Sequence, residues 1–270
     1  MPASYSVSEL WNAFVAERSI SLCPTSLTSD YRQVTKWLAR CPIQDLHQAR
    51  QVMIWVLGQK PILSSRRVAM YTKTMYKWAA QEDVGYLDRN PLASFKMPKA
   101  PQRDEDIIVI PRNEIGLLLA ALEAKRTYLS VNWSSYTEFM LQTAMRTGEV
   151  RALHWNDIKE NKILVHQNWT LTHGLKDSTK TNKKRWVPLN KKCKAILEAL
   201  PQDSEFIFPW DRLAFQSYFR KKLQPLHQAD LLSHMYRPYD CRHTAISHWI
   251  EAGIPVPQVA NWAGNTSEVI

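Results

Sequence analysis

Glycine is scarce in this chain, with 7 in 270 residues and neither a GxGxxG nor a GxxxxGK[ST] run. Loops that cradle nucleotide phosphates need clustered glycines for close backbone approach, so ATP- and NAD-dependent chemistry is excluded. The 4 cysteines, Cys23, Cys41, Cys193 and Cys241, lie far apart without a CxxC pair. They make neither a zinc module nor a disulfide framework, and a reducing compartment is the expected home. No stretch approaches the ~20 apolar residues of a membrane span, and the run VMIWVL stops at Gly58. The first residues, MPASYSVSELW, hold no apolar core of signal-peptide length, so a soluble intracellular protein is expected. Acidic residues are also short: Asp+Glu 25 against Lys+Arg 35 leaves a net charge of +10. That excess suits a polyanionic partner, nucleic acid first and an acidic membrane surface second.

What is present is ordinary for a folded protein. Hydrophobic residues at 45% and charged residues at 22% exclude wholesale disorder. The length suits two domains, since one domain usually holds about 100–150 residues. Residues 1–95 read as a helical domain. Ser6-Val7-Ser8-Glu9 is an S-x-x-E capping box ahead of Leu10, Trp11, Phe14 and Val15. A second helix is expected over Ser26–Arg40 and a third over Asp45–Leu57, with Gly58 in the glycine stop position. A fourth follows Ser64-Ser65, with Val68, Tyr71, Met75 and Trp78 as its apolar stripe. Arg66, Arg67, Lys73 and Lys77 lie on its other faces and are candidates for phosphate contacts.

Asn90-Pro91 closes this region, and Pro98 and Pro101 make residues 96–107 an extended linker with Lys96 and Lys99 as further DNA-binding candidates. Residues 108–270 read as helices around a small sheet. Asn113 is the expected N-cap of a helix over Glu114–Ala124, and Trp133–Ala144 is another amphipathic helix. Arg146 follows it, and Thr147-Gly148 is read as the break. An arginine at the buried end of a helix needs a partner, either Glu149 or an external anion in a cleft. Ile163–Val165 and Trp186–Leu189 are expected strands around a polar, lysine-rich turn that includes Lys180 and Lys183. Helices are expected over Lys191–Leu200, Arg212–Leu223, Thr244–Ala252 and Val256–Trp262, with Arg242-His243 just before the third of them. That placement makes Arg242 part of a natural anion site. The fold class is therefore mainly α with a small β-sheet (α+β).

Four segments in this order resemble the tyrosine recombinase (phage integrase) family: A-M-R-T-G-E with Arg146 and Glu149, T-K-T with Lys180 followed by R-W-V-P-L, Y-D-C-R-H-T with Arg242 and His243, and A-G-N with Asn265. The resemblance covers nearly the whole chain. It implies a core-binding domain over 1–95 and a catalytic domain over 108–270. It also implies breakage and rejoining of double-stranded DNA through a 3′-phosphotyrosyl link, with no metal and no cofactor. Arg146 and Arg242 would grip the scissile phosphate with paired donors, which lysine cannot do. Lys180 would protonate the leaving 5′ oxygen, His243 would bond the phosphate, and Glu149 would orient its surroundings. Tyr239 stands where the family has a histidine, and Asn265 where it has histidine or tryptophan. The family's nucleophilic tyrosine lies beyond the A-G-N position, and no tyrosine follows Tyr239 here. These 270 residues are accordingly expected to bind DNA without cutting it, as a monomer when free and a tetramer on paired sites, in a bacterial or phage-host cytoplasm. A non-catalytic DNA-binding protein on the same fold and a type IB topoisomerase are the alternatives.

Overall fold

The computed structural model describes residues 5–22, 24–99, 107–123, 132–171, 173–177, 183–210 and 212–270. It divides into two compact units, Met1–Arg103 and Asp104–Ile270. Mainly helical, with small antiparallel sheets, it is α+β as expected. Among the described residues no helix is long and apolar enough to cross a membrane.

The named elements of the first unit are helices among the described residues. α1 (Val7–Arg18) opens on the capping box, in which Ser6 N–H donates to Glu9 Oε2 at 2.8 Å and Glu9 N–H donates to Ser6 Oγ at 3.2 Å. Val7, Leu10, Trp11 and Phe14 are buried from it. A short turn, α2 (Pro24–Ser26), runs through a π-helical turn at Leu27–Tyr31 into α3 (Arg32–Leu38). α4 (Ala49–Gly58) and α5 (Ile62–Ala79) complete the unit. Two details depart from expectation. Gly58 is the last helical residue rather than a left-handed stop, because the chain turns extended at Gln59. α5 starts before Ser64-Ser65, because the Pro61 carbonyl accepts from both serine amides at 3.0 and 3.1 Å. The stripe behaves as period and hydropathy require: Val68 and Met75 are fully buried, Trp78 nearly so.

In the second unit, α6 (Arg112–Leu122) is capped by Pro111, whose carbonyl accepts from Glu114 N–H at 2.9 Å, so Asn113 lies inside the first turn rather than at the cap. Proline before the helix fixes the entry dihedral without wasting a donor. α7 (Trp133–Thr143) starts on the Asn132 side chain, which accepts from Ser135 N–H at 3.0 Å. It ends at Ala144, in the left-handed region at φ 51°. The break thus falls three residues before Thr147-Gly148, which instead form the start of α8 (Thr147–Arg151).

β1 (Ile158–Lys159), β2 (Lys162–Val165) and β5 (Arg185–Pro188) make an antiparallel sheet in the order β1-β2-β5, with Val165 opposite Arg185. The polar stretch between β2 and β5 is more than a turn. It holds a second hairpin, β3 (Asn168–Thr170) paired with β4 (Gly174–Lys176). Gly148 lets α8 lie on it: a Cβ there would meet Asn168 Oδ1 at 2.3 Å and Trp169 O at 2.6 Å. α9 (Lys191–Ala199), α10 (Arg212–Gln228, continuing past the expected end through Pro225), α11 (Asp240–Glu251) and α12 (Val256–Ala263) follow. Tyr136, Phe139, Phe208, Phe215 and Phe219 fill the core between them.

Candidate phosphate-binding site

The site grows from three chain reversals in the second unit. At the first, left-handed Ala144 turns the chain so that Arg146 leads into α8. Glu149, three residues on, closes that turn by accepting from Arg146 N–H at 2.9 Å through Oε2. The second is the start of α11. That helix begins at Asp240, whose carboxylate accepts from Arg237 N–H at 2.7 Å, so Arg242 sits inside the first turn and not ahead of it. The third is Gly264, left-handed at φ 69°, which ends α12 and presents Asn265.

Together they bring Arg146, Glu149, Arg242 and Asn265 into contact. Arg146 Nη1 donates to Glu149 Oε1 at 2.9 Å, and its Nη2 donates to Asn265 Oδ1 at 3.2 Å. Arg242 Nη2 donates to the same Asn265 oxygen at 3.0 Å, and its Nη1 donates to the Ala144 carbonyl at 2.6 Å. Of the two partners open to Arg146, the structure shows Glu149. The Arg146 side chain still keeps 17% of its surface exposed while that of Glu149 keeps 1%.

Sequence reasoning missed one member. Arg185, which opens the R-W-V-P-L segment and has no site role in the sequence reading, is buried and pairs with Glu149, Nη2 to Oε2 at 2.6 Å and Nη1 to Oε1 at 3.1 Å. Its Nε donates to the Trp262 carbonyl at 2.8 Å. The signal was in the strand itself: alternation puts Arg185 on the same buried face as Val187.

The electrostatics follow from these contacts. Burial disfavours a charged Glu149, but Arg185 and then Arg146 outweigh it and hold its pKa below the ordinary carboxylate value. Arg242 is pushed down to about 10, by burial first and by Arg146 next. It still carries its charge at neutral pH. His243 is shifted down as well, by burial first, with Arg242 and Arg237 adding to it against Asp240. A neutral imidazole is thus favoured near pH 7, able to bond a phosphate through its N–H. Tyr239 stacks edge-on against His243, ring centroids 5.0 Å apart, and is 47% exposed. Lys180 lies outside the described residues. Among the described residues no group of His, Cys, Asp or Glu is arranged to hold a metal ion.

Gly264 is needed twice over. Its positive φ disfavours any Cβ, and a Cβ would lie 2.9 Å from Arg185 Nη1. Gly264→Ala is expected to lower stability by about 1–3 kcal/mol in a denaturant melt. An unchanged midpoint would show that Arg185 is not held where described.

Of the other cationic candidates, Arg66 donates to the Pro98 carbonyl and Lys73 Nζ donates to the Phe95 carbonyl at 2.6 Å, so both pin the segment that follows the helices. Arg67 pairs with Asp30 at 3.0 Å. Lys77, Lys96, Lys99 and, in the second unit, Lys183 are exposed. Arg32, Lys36 and Arg40, which the sequence reading passed over, recur every four residues and line a basic hollow of about 510 Å³ with Arg67.

A model described as the phage integrase family matches residues 109–268. The shufflon-specific DNA recombinase of Escherichia coli is 32% identical over 131 residues, covering 47% of this chain and 30% of that protein. The chain thus matches less than a third of that relative's length. The Tn1549 transposon integrase, solved in complex with circular intermediate DNA, superposes with a TM-score of 0.74 at 16% identity, covering 96% of this chain and 91% of that one. A lambda integrase from a tetramer bound to a Holliday junction gives a TM-score of 0.73 at 15% identity, covering 97% of this chain and 78% of that one. These two likenesses show the fold.

Proposed function

The chain belongs to the phage integrase family, the tyrosine recombinases, and on that premise we propose that its second unit binds one DNA phosphate between Arg146 and Arg242 for site-specific strand breakage and rejoining. One observation carries the reading: two guanidiniums donate to the same oxygen, Asn265 Oδ1, at 3.2 and 3.0 Å. A non-bridging phosphate oxygen in their reach would take the same pair of donors, with charge-assisted bonds about twice as strong as neutral ones.

In the proposed reaction a tyrosine oxygen attacks phosphorus, the bond to the 5′ oxygen breaks, and Lys180 gives that oxygen its proton. A 5′ hydroxyl later reverses the step. Arg146 and Arg242 hold the charge that gathers on phosphorus oxygens in the transition state. His243 adds an N–H bond and Asn265 offers its amide N–H₂, since its carbonyl is taken by the arginines. Tyr239, beside His243, stands at the general-base position. The phosphotyrosyl link conserves the bond energy, so ATP is not required.

For these 270 residues the proposal is binding of duplex DNA through its phosphates. Titration of a labelled duplex at several salt concentrations tests it. Affinity is expected to fall steeply as salt rises, with a slope of about −0.9 per phosphate contact. Salt-independent binding would contradict phosphate contacts. In a chain that carries the tyrosine, an adduct on a nicked duplex is expected, and its survival in both Arg146→Ala and Arg242→Ala would sink the chemistry. The Holliday-junction tetramer seen with lambda integrase motivates a tetramer on paired sites here, checked by sedimentation with and without DNA.

A further inference from the structure

Arg185 is almost wholly buried, yet it decides what Arg146 can do at the site. Glu149 offers two oxygens, and each takes two donors. Oε1 accepts from Arg146 Nη1 at 2.9 Å and Arg185 Nη1 at 3.1 Å, while Oε2 accepts from Arg146 N–H at 2.9 Å and Arg185 Nη2 at 2.6 Å. A carboxylate has about four acceptor positions, so Glu149 is saturated. In this sharing Arg185 holds the carboxylate with the two-pronged fork, and Arg146 spends only Nη1 of its guanidinium on it. Arg146 Nη2 is left to face Asn265.

We propose that Arg185 is a positioning residue: it supplies the counter-charge that keeps Glu149 from capturing Arg146, so that Arg146 and Arg242 both remain available to one phosphate. The inference depends on the phosphate reading of the site given above. With Arg185 present, one carboxylate is balanced by one buried guanidinium, and two positive charges face the phosphate. Without it, the buried carboxylate closes on the nearest cation, Arg146, and one of the two is neutralised. Burial makes that exchange unavoidable, since an unbalanced carboxylate away from water takes any partner within reach.

Placement strengthens the argument. Arg185 begins β5, directly after the segment that carries Lys180, and its Nε bond to the Trp262 carbonyl fastens the end of α12, from which Asn265 projects. Gly264 leaves the space its guanidinium fills. One side chain thus joins the strand after Lys180, the carboxylate behind Arg146 and the turn that presents Asn265.

The experiment compares the chain with Arg185→Met, Arg185→Lys, the double variant Arg185→Met with Glu149→Gln, and Arg146→Ala. The probe is a fluorescein-labelled duplex of arbitrary sequence, titrated across a salt series, and circular dichroism melts record folding. Arg185→Met is expected to bind roughly tenfold more weakly, with the salt slope reduced by about one contact. The double variant, which removes both charges, is expected to regain most of that loss. Arg185→Lys, which keeps the charge but not the fork, is expected to stay near the parent. Those three results together support counter-charge. A double variant or a lysine variant no better than Arg185→Met would overturn it, because a merely structural arginine is not replaced by deleting its partner's charge. Parent-like binding by Arg185→Met overturns it as well. If Arg185→Met does not fold, the lysine and double variants carry the same comparison. Arg146→Ala separates the two levels: parent-like binding there defeats the phosphate reading itself, whereas weak binding there beside normal binding in Arg185→Met defeats only the role of Arg185.

Discussion

Arg242→Ala is expected to weaken duplex binding by at least tenfold, and to cut adduct formation by about 10²–10³ in a chain carrying the tyrosine. Arg242 is almost wholly buried, and burial with Arg146 beside it pushes its pKa down to about 10. It is charged at pH 7 all the same, and the fold bears the cost of that buried charge. Removing it has two opposed effects on stability. The Ala144 carbonyl loses its 2.6 Å donor, which costs about 1–3 kcal/mol, while like-charge repulsion with Arg146 is relieved. The net change in a melt is therefore expected to be modest beside the change in binding. Arg242→Lys is expected not to restore binding. One ammonium cannot serve Ala144 O, Asn265 Oδ1 and a phosphate at once, as the planar fork does. A melt as strongly affected as binding would reduce Arg242 to a structural residue. Near-parent affinity in Arg242→Lys would mean that a point charge is enough.

The members of this cluster that the sequence pointed to came through resemblance to the phage integrase family. The A-M-R-T-G-E and Y-D-C-R-H-T segments mark Arg146 and Arg242, and the A-G-N turn marks Asn265. Helix periodicity gave the buried stripe of α5, where Val68, Met75 and Trp78 pack inward. What was not legible depends on contacts far apart in the chain. Ala144 adopts a left-handed conformation that would ordinarily call for glycine, and its carbonyl is bonded by Arg242 across 98 positions. No local rule places the break there rather than at Thr147-Gly148. The β3–β4 hairpin hides in a polar stretch because its residues are half-buried or, at Leu175, exposed, so neither alternation nor hydropathy stands out. Arg185 reads as one more cation in a basic run. Only the strand phase set by Val187, and a carboxylate 36 positions earlier, distinguish it from its exposed neighbours Lys183 and Lys184.

Glu149→Ala is expected to destabilise the second unit by about 3–5 kcal/mol in a urea melt. The reason is not the lost carboxylate but what it leaves behind. Arg185, with 3% of its side chain exposed, keeps a charge and loses both Glu149 oxygens. Arg146, with 17% of its side chain exposed and a second acceptor in Asn265, loses less. The pairing also has a pH signature whose sign is set by the direction of the shift. The folded-state pKa of Glu149 lies below the ordinary carboxylate value of 4.5. Its stabilisation is therefore fully present above that value and is lost as pH falls through the lower, folded one. Urea melts of the parent between pH 7 and pH 3 should show stability declining in the acid range. Other carboxylates contribute to the same decline, so the comparison that isolates Glu149 is with Glu149→Gln. That variant starts lower at pH 7, because Arg185 has lost its counter-ion, and it should lose less on going to pH 3. Parallel pH profiles in the two proteins would show that the buried ion pair contributes nothing to folding, and would remove the basis for assigning Arg185 its place behind Arg146.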